Sequence, residues 1–208
     1  FVANLPEARI YILGPNGWVL PLLTLGFLTL ILWRGALRWV GVLAMVGAVI
    51  VWSNSTRPDG LVSDTGTLVG VMTSKGRALS KQRGAGFAAR NWLENDGDGG
   101  DQFSAAARWK EGGGFIHISG KRAAAAFQGC VKGQVVVSSV ALEQEGLPCV
   151  VHDPNSLRYT GALAYELGPD GPEIIETARA AAGNRLWTRW PEERPLHKPQ
   201  KHAQRKKN

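Results

Sequence analysis

Two long apolar runs dominate the first quarter of the chain. They cover residues 17–33 and 35–52, and the short connection between them carries Arg34 and Arg38. The first run has no ionisable side chain, whereas a helix in a water-soluble core shows charges along one stripe. A helix over the first run would reach ~25 Å, close to the ~30 Å hydrocarbon core of a bilayer. The pattern therefore predicts a two-helix transmembrane hairpin over residues 17–53, in preference to buried core helices or a signal sequence.

Tryptophan stands at both ends of both runs, and its indole ring prefers the headgroup level of a bilayer. We therefore expect four membrane-interface anchors: Trp18, Trp33, Trp39 and Trp52. Short loops rich in arginine stay cytoplasmic, so the connection should lie inside and both of its flanks outside. This topology predicts that the C-terminal part lies outside the cytoplasm.

From residue 57 onward, short β-rich pieces alternate with turn residues, which indicates a mixed α/β domain over residues 57–189. The first two strands form a predicted hairpin around Asp64-Thr65-Gly66. One predicted helix carries Phe87, Trp92 and Leu93 near one face. Strands are predicted at 60–63, 67–72, 78–80, 114–119, 134–138, 148–151, 159–167 and 173–178, and helices at 86–95 and 121–127.

Charge adds two segments to this organisation. The formal net charge is +7, and residues 190–208 hold six Lys or Arg against two Glu. Such a segment has too few apolar groups to fold, so we expect a disordered basic tail there. Residues 1–16, before the first apolar run, form a separate flanking segment. Because the chain begins with Phe1 and not Met, we also expect a fragment or a processed product.

Residues 75–90 contain five basic side chains and no Asp or Glu: Lys75, Arg77, Lys81, Arg83 and Arg90. Such a patch can bind the phosphates of a polyanion, where contacts position the ligand rather than specify its sequence. A lipid-headgroup patch and a merely solvated face are the two competing interpretations.

The sequence contains no complete pattern typical of a metal site or a catalytic site. The run Asp96-Gly-Asp98-Gly-Gly-Asp101 resembles the start of a calcium loop, but the twelfth position is Ala107, which offers no side-chain oxygen. We therefore predict an acidic turn there. The four histidines are scattered, and no nucleophile, base and orienting group stand in a recognisable pattern.

The two cysteines, Cys130 and Cys149, enclose 18 residues. In an oxidising compartment they would form a disulfide, which adds about 3 kcal/mol by the chain-entropy estimate. Two unpaired buried thiols are the alternative if the topology is inverted.

The order of several short motifs resembles the C-terminal end of ComEC-type competence proteins, above all the shorter alphaproteobacterial members. After the tryptophan-flanked helix pair come RPDGLVSDTG at 57–66, LVGV at 68–71, GRALS at 76–80, FAARNWL at 87–93, DGD at 96–98 and GNRLWT at 183–188, with Cys130 and Cys149 between the last two. These family members are polytopic inner-membrane proteins that carry transforming DNA inward as a single strand.

This resemblance implies a fold, a function and partners. In many members the C-terminal domain resembles a metallo-β-lactamase with a His-x-His-x-Asp-His motif, which this chain lacks around His117. It implies here a degenerate, metal-less form of that domain, with no enzymatic activity and no cofactor. The implied partners are the membrane, single-stranded DNA and further helices of the same channel. The implied location is the bacterial inner membrane, with the C-terminal domain in the periplasm. The alternative function is a small membrane-tethered periplasmic protein with a structural or assembly role.

Overall fold

Helices and short strands alternate along the part of the chain that the computed structural model describes, residues 10–109, 114–142, 146–169 and 171–183. The helices are α1 (Val19–Leu32), α2 (Arg38–Ser53), α3 (Gly86–Asn95), α4 (Gln102–Ala106), α5 (Gly120–Ala126), α6 (Pro154–Thr160) and α7 (Ala178–Ala182). The strands are β1 (Gly60–Val62), β2 (Val69–Thr73), β3 (Gly76–Leu79), β4 (Phe115–Ile118), β5 (Val135–Ser138), β6 (Val150–His152), β7 (Leu163–Gly168) and β8 (Gly171–Thr177). The predicted tail at 190–208 and most of the predicted flank at 1–16 lie outside the described residues.

The chain divides into two units. Unit 1 consists of Phe1–Asp59 and Gly70–Lys110, and unit 2 of Gly60–Val69 and Glu111–Asn208. Helices α1 to α4 therefore belong to unit 1, together with β3 and most of β2. Unit 2 contains the remaining strands and helices.

Helices α1 and α2 pack against each other through two buried glycines. A Cβ atom added to Gly41 would lie 2.5 Å from the carbonyl oxygen of Gly26, and one added to Gly26 would lie 2.7 Å from the carbonyl oxygen of Gly41. Glycine thus permits a backbone approach that a side chain would prevent. The connection between the helices turns at Gly35, which has a φ of +83°.

The prediction of a transmembrane hairpin followed by a metallo-β-lactamase-like domain is wrong. Helix α1 has 14 residues and α2 has 16, whereas a bilayer core requires about 20. Within the described residues, no helix combines the length and the apolar character needed to cross a membrane. The sequence interpretation extended the first helix over residues 17–33. Helix α1 instead ends at Leu32, and Trp33 has an extended backbone. What the described residues form is an α/β structure.

The predicted interface anchors and the predicted inner-membrane location both depended on those two spans. Without the spans, the structure does not support either prediction. Trp18, Trp33 and Trp39 are exposed. The indole Nε1 of Trp52 instead donates a hydrogen bond to the carbonyl oxygen of Leu13 at 2.7 Å, which is a packing contact within unit 1.

Residues 10–16, which we call the strap, run along the end of α3. The amide of Gly14 donates to the carbonyl oxygen of Asn95 at 2.9 Å. The Nη2 atom of Arg57 donates both to that Asn95 oxygen, at 2.6 Å, and to the carbonyl oxygen of Gly14, at 2.5 Å. The Gly14 amide and the Arg57 guanidinium therefore tie the strap to the end of the helix.

Strands β2 and β3 form an antiparallel hairpin in unit 1, in register from Gly70 opposite Leu79 to Thr73 opposite Gly76. Helix α3 turns Ala89 and Leu93 inward, one turn apart, and both are buried. The bounds of α3 match the predicted helix at 86–95, and Gly97 follows with a φ of +75°.

Unit 2 contains a parallel three-stranded sheet in the order β4-β5-β6. The central strand has the buried run Val135, Val136 and Val137, because a strand flanked on both sides in a parallel sheet buries both faces. Unit 2 also contains the antiparallel set β1-β7-β8. The turn after β1 requires Gly66, since its φ is +64° and an added Cβ atom would lie 2.2 Å from the carbonyl oxygen of Ser138.

Most predicted strands lie within a few residues of observed ones, but the predicted strand at 159–167 begins too early. Helix α6 occupies 154–160 instead, because Asp153 accepts hydrogen bonds from the amides of Asn155 and Ser156 in a capping box, with Pro154 at the first helical position. Helices α4 and α7 were also not predicted, and each has only five residues.

Candidate nucleic-acid interface

The five predicted phosphate contacts do not share one environment. Lys75, Arg83 and Arg90 are exposed, and Lys81 is half-buried. Arg77 is fully buried, at 0% exposure. Arg77 therefore cannot reach a phosphate and leaves the candidate interface, while the other four remain accessible.

Burial of Arg77 is compensated by a carboxylate. Its Nε and Nη2 atoms both donate to Asp96, the second at 3.2 Å, and Nη2 also donates to the carbonyl oxygen of Pro58 at 3.1 Å. The Nε atom of Arg57 lies 3.8 Å from the same carboxylate. A two-pronged pair of this kind is a structural element of unit 1.

The acidic run 96–101 uses its carboxylates in the same way. Asp98 accepts from Arg108 and, at 2.8 Å, from the amide of Gly100; the Arg108 hydrogen bond holds the pKa of Asp98 below its usual value. Asp101 accepts from the third amide of α4, at 2.8 Å, and so caps that helix. Among the described residues no cluster of metal-ligating side chains is present. We therefore assign the carboxylates of this run to hydrogen bonds that hold unit 1 together.

The loop that carries Lys81 and Arg83 is held by a side chain from α4. The Nε2 atom of Gln102 donates to the carbonyl oxygen of Lys81 at 3.1 Å and to that of Gly84 at 2.7 Å. Ala85 then enters α3 with a φ of +51°, a left-handed conformation that costs a residue with a Cβ atom about 1–2 kcal/mol. The loop backbone is therefore ordered, and Arg83 extends outward from it.

Helix α3 presents an aromatic ring and a cation to solvent. Phe87 is 80% exposed, and the exposed Arg90 follows it by three positions, which makes the two neighbours on the helix surface. The predicted common face of Phe87, Trp92 and Leu93 does not form. Six positions correspond to about 240° of helix rotation, so Phe87 faces outward while Leu93 faces the core.

A cavity of about 550 Å³ lies beside this helix in unit 1. The strap contributes Tyr11, α3 contributes Arg90, Leu93 and Glu94, and the loop and first turn of α4 contribute residues 98–102. Its size is within the range of small-molecule sites. No sequence pattern marked this cavity, because its walls come from three separate segments.

Unit 2 contains a buried polar pair. His152 Nε2 lies 2.5 Å from the hydroxyl of Tyr165, and Phe115 packs edge-on against the Tyr165 ring. Burial lowers the pKa of His152, despite the opposing charge of Asp153, and raises that of Tyr165. The Nε2 atom of His117 lies 3.2 Å from the carbonyl oxygen of Gly66. These are packing contacts within the unit.

Cys130 and Cys149 form a disulfide, with their Cα atoms 5.9 Å apart. The bridge connects the segment before β5 to the segment before β6. The loop that it closes therefore contains β5 and the connection from β5 to β6.

Comparison of the chain with protein-family models, curated proteins and solved structures finds no match.

Two residues of the interface were missed or misplaced by the sequence interpretation. Phe87 was placed near the same face as Trp92 and Leu93, although the positions of Ala89 and Leu93 show the core stripe of α3. Tyr11 gave no signal, since its place in the cavity depends on the contacts that hold the strap.

Proposed function

We propose that this chain handles single-stranded DNA as part of a ComEC-type uptake channel for transforming DNA. The observation that carries the proposal is the exposed Phe87 ring beside Arg90 on α3. Proteins that bind single strands combine aromatic rings, on which bases stack, with basic side chains that bind the phosphates. We name Lys81, Arg83, Phe87 and Arg90 the basic-aromatic surface.

Several features of unit 1 support this surface as a binding site. Gln102 orders the loop that carries Lys81 and Arg83, so less conformational entropy is lost when a ligand binds. Arg77 and Asp96 neutralise each other in the interior and do not compete for a ligand. Lys75, at the β2–β3 turn, is a further exposed cation of the same sign.

The disulfide supports a place in an oxidising compartment such as the periplasm, because such bonds persist there and are rare in a reducing cytosol. Incoming DNA in a competence system would meet the chain on that side.

An assembly role without nucleic acid is the second candidate, and the outer faces of α1 and α2 favour it. Leu25 is 62% exposed, Phe27 54% and Leu43 70%. Contiguous exposed apolar side chains mark contact surfaces in proteins. This role predicts docking onto apolar helices of a partner protein and no binding of DNA.

Fluorescence anisotropy of a labelled oligo(dT) with the full chain separates the two functions. We expect binding that weakens steeply with salt, and a salt slope that falls by about 0.7 for each phosphate contact removed in Arg83→Glu or Arg90→Glu. Phe87→Ala should weaken binding and leave the slope unchanged, because stacking releases no counterions.

Arg122→Glu on α5, an exposed arginine in unit 2, is the matched control. Binding that survives both substitutions in unit 1, or that falls equally in the control, overturns the proposal. Vesicles of anionic lipid serve as a competitor. Binding to vesicles that depends on Arg83 and Arg90 but not on Phe87, with no binding of oligo(dT), assigns the surface to lipid headgroups instead.

A further inference from the structure

The cavity beside α3 offers one aromatic wall and one apolar floor. The Tyr11 ring lies directly over Gly99, since a Cβ atom added there would come within 2.6 Å of ring atom Cδ2. Leu93 is 2% exposed and closes the bottom. A flat ligand can therefore enter between the strap and the helix.

Most polar groups of the cavity are already engaged. Asp98 is bound by Arg108, Asp101 caps α4, and the amide nitrogen of Gln102 donates to the loop at 81–84. These groups shape the wall and have little capacity left for a ligand.

Two charged side chains of α3 remain. Within the described part of the chain, the side chains of Arg90 and Glu94 make no hydrogen bond or ion pair, and both line the cavity. Their four-residue spacing places them on the same side of the helix. The cavity thus offers an aromatic ring, a carboxylate acceptor and, towards the basic-aromatic surface, a guanidinium.

We infer that this cavity binds one unpaired base of a single strand, with guanine preferred, an inference that rests on the proposed function. Tyr11 stacks on the base. Glu94 accepts hydrogen bonds from the base, and Arg90 binds the adjoining phosphate at the rim.

The preference for guanine follows from donor count. Guanine presents an imino N–H and an amino group side by side, which match the two oxygens of a carboxylate. Thymine presents a single imino N–H between two carbonyl oxygens that a carboxylate repels. The carboxylate of Asp101, which lines the cavity without a cationic partner among the described residues, repels phosphates, so the base and not the backbone enters.

The test measures the affinity of the full chain for three oligonucleotides. They are oligo(dT), the same oligomer with one central guanine, and the same oligomer with one central abasic site. We expect tighter binding of the guanine oligomer, by about tenfold, the order of one added base contact. Glu94→Gln should abolish the difference in affinity between the guanine oligomer and oligo(dT). Tyr11→Ala should weaken the guanine oligomer by about tenfold.

A second variant leaves the identity of every side chain assigned to the ligand unchanged. Gly99→Ala displaces the Tyr11 ring and should reproduce the loss, whereas Gly47→Ala, which meets nothing within 4 Å, should not. Tyr159→Ala, at an exposed tyrosine of unit 2, is the control for removal of a ring.

Titration with deoxyguanosine monophosphate separates this inference from the proposed function. If the nucleotide binds in a Tyr11-dependent manner while oligo(dT) does not bind, the cavity stands and DNA handling fails. If oligo(dT) binds through Arg83, but a central guanine gives no gain in affinity and substitution of Tyr11 or Gly99 gives no loss, the cavity assignment is overturned and DNA handling stands. If neither ligand binds, both are overturned.

Discussion

The guanidinium of Arg77 binds the carboxylate of Asp96 through two hydrogen bonds, with the two side chains 0% and 6% exposed. This pair connects β3 to the end of α3 inside unit 1. It explains why one residue of an otherwise accessible basic segment is absent from the surface. It also separates the structural role of Arg77 from the binding role that we propose for Arg83 and Arg90.

Asp96→Asn should destabilise the protein strongly. The substitution leaves a buried guanidinium without its counter-charge, and breaking such a pair from one side costs about 3–5 kcal/mol. The free energy of unfolding in denaturant measures the effect. Asp64→Asn, in the exposed turn after β1, should change that free energy by less than about 0.5 kcal/mol. Equal stability of the two variants would show that the pair contributes nothing.

Gly41→Ala and Gly47→Ala should act in opposite directions, although both lie in α2. At Gly41 the new methyl group would meet backbone atoms of α1 at 2.5 Å and 2.9 Å, so the helices must separate, at a cost of about 1–3 kcal/mol. At Gly47 nothing lies within 4 Å, and alanine should add about 0.5–1 kcal/mol of helix propensity. Thermal unfolding followed by circular dichroism distinguishes the two. A stabilising Gly41→Ala would contradict the observed crossing of α1 and α2.

Acid should destabilise unit 2 through His152. Burial lowers the pKa of this histidine below its ordinary value of 6.5, so the unfolded state takes up its proton before the folded state does. Stability is therefore complete above pH 6.5 and declines as the pH falls from there towards the folded-state pKa. Tyr165 stays protonated throughout this range, since the ordinary pKa of tyrosine is 10.0 and burial raises it further.

His152→Gln keeps a polar group for the Tyr165 hydroxyl and removes the titration. Denaturant midpoints measured from about pH 8 down to pH 5 should fall for the wild type and fall less for this variant. Parallel profiles for the two proteins would exclude His152 as the source of the acid sensitivity.

The disulfide should stabilise unit 2 by about 3 kcal/mol, since the bridged positions are 19 residues apart in sequence. The double substitution of Cys130 and Cys149 by serine should lower the free energy of unfolding by that amount. A reductant should lower the wild type to the same value and leave the double variant unchanged. A wild type that is indifferent to reductant would contradict this contribution.

Local signals in the sequence account for much of the fold. The glycine after 86–95 and the inward positions Ala89 and Leu93 define α3, and the run Val135-Val136-Val137 defines the central parallel strand. Helix α6 carries its own signal in Asp153-Pro154, although the residue pattern predicts a strand that begins at 159. The sequence has no comparable signal for the end of α1, because the same apolar run is compatible with a helix up to Trp33 or only up to Leu32.

The candidate site was less predictable than the fold. The basic residues were visible in sequence, but their exposure depends on tertiary partners such as Asp96, which lies 19 positions from Arg77. The cavity depends on the strap, which Arg57 holds from 43 positions away in sequence. Pairings over such separations leave no periodic trace in a single sequence.

Preference for a single strand over a duplex of the same sequence tests the DNA-handling role most directly. In a duplex the bases are stacked on each other and cannot reach Phe87, whereas phosphates are available in both forms. We predict that the full chain binds the single strand more tightly at equal salt, and that Phe87→Ala removes most of this preference while Phe103→Ala on α4 does not. Equal affinity for both forms, or a preference unaffected by Phe87→Ala, would contradict the role of the basic-aromatic surface.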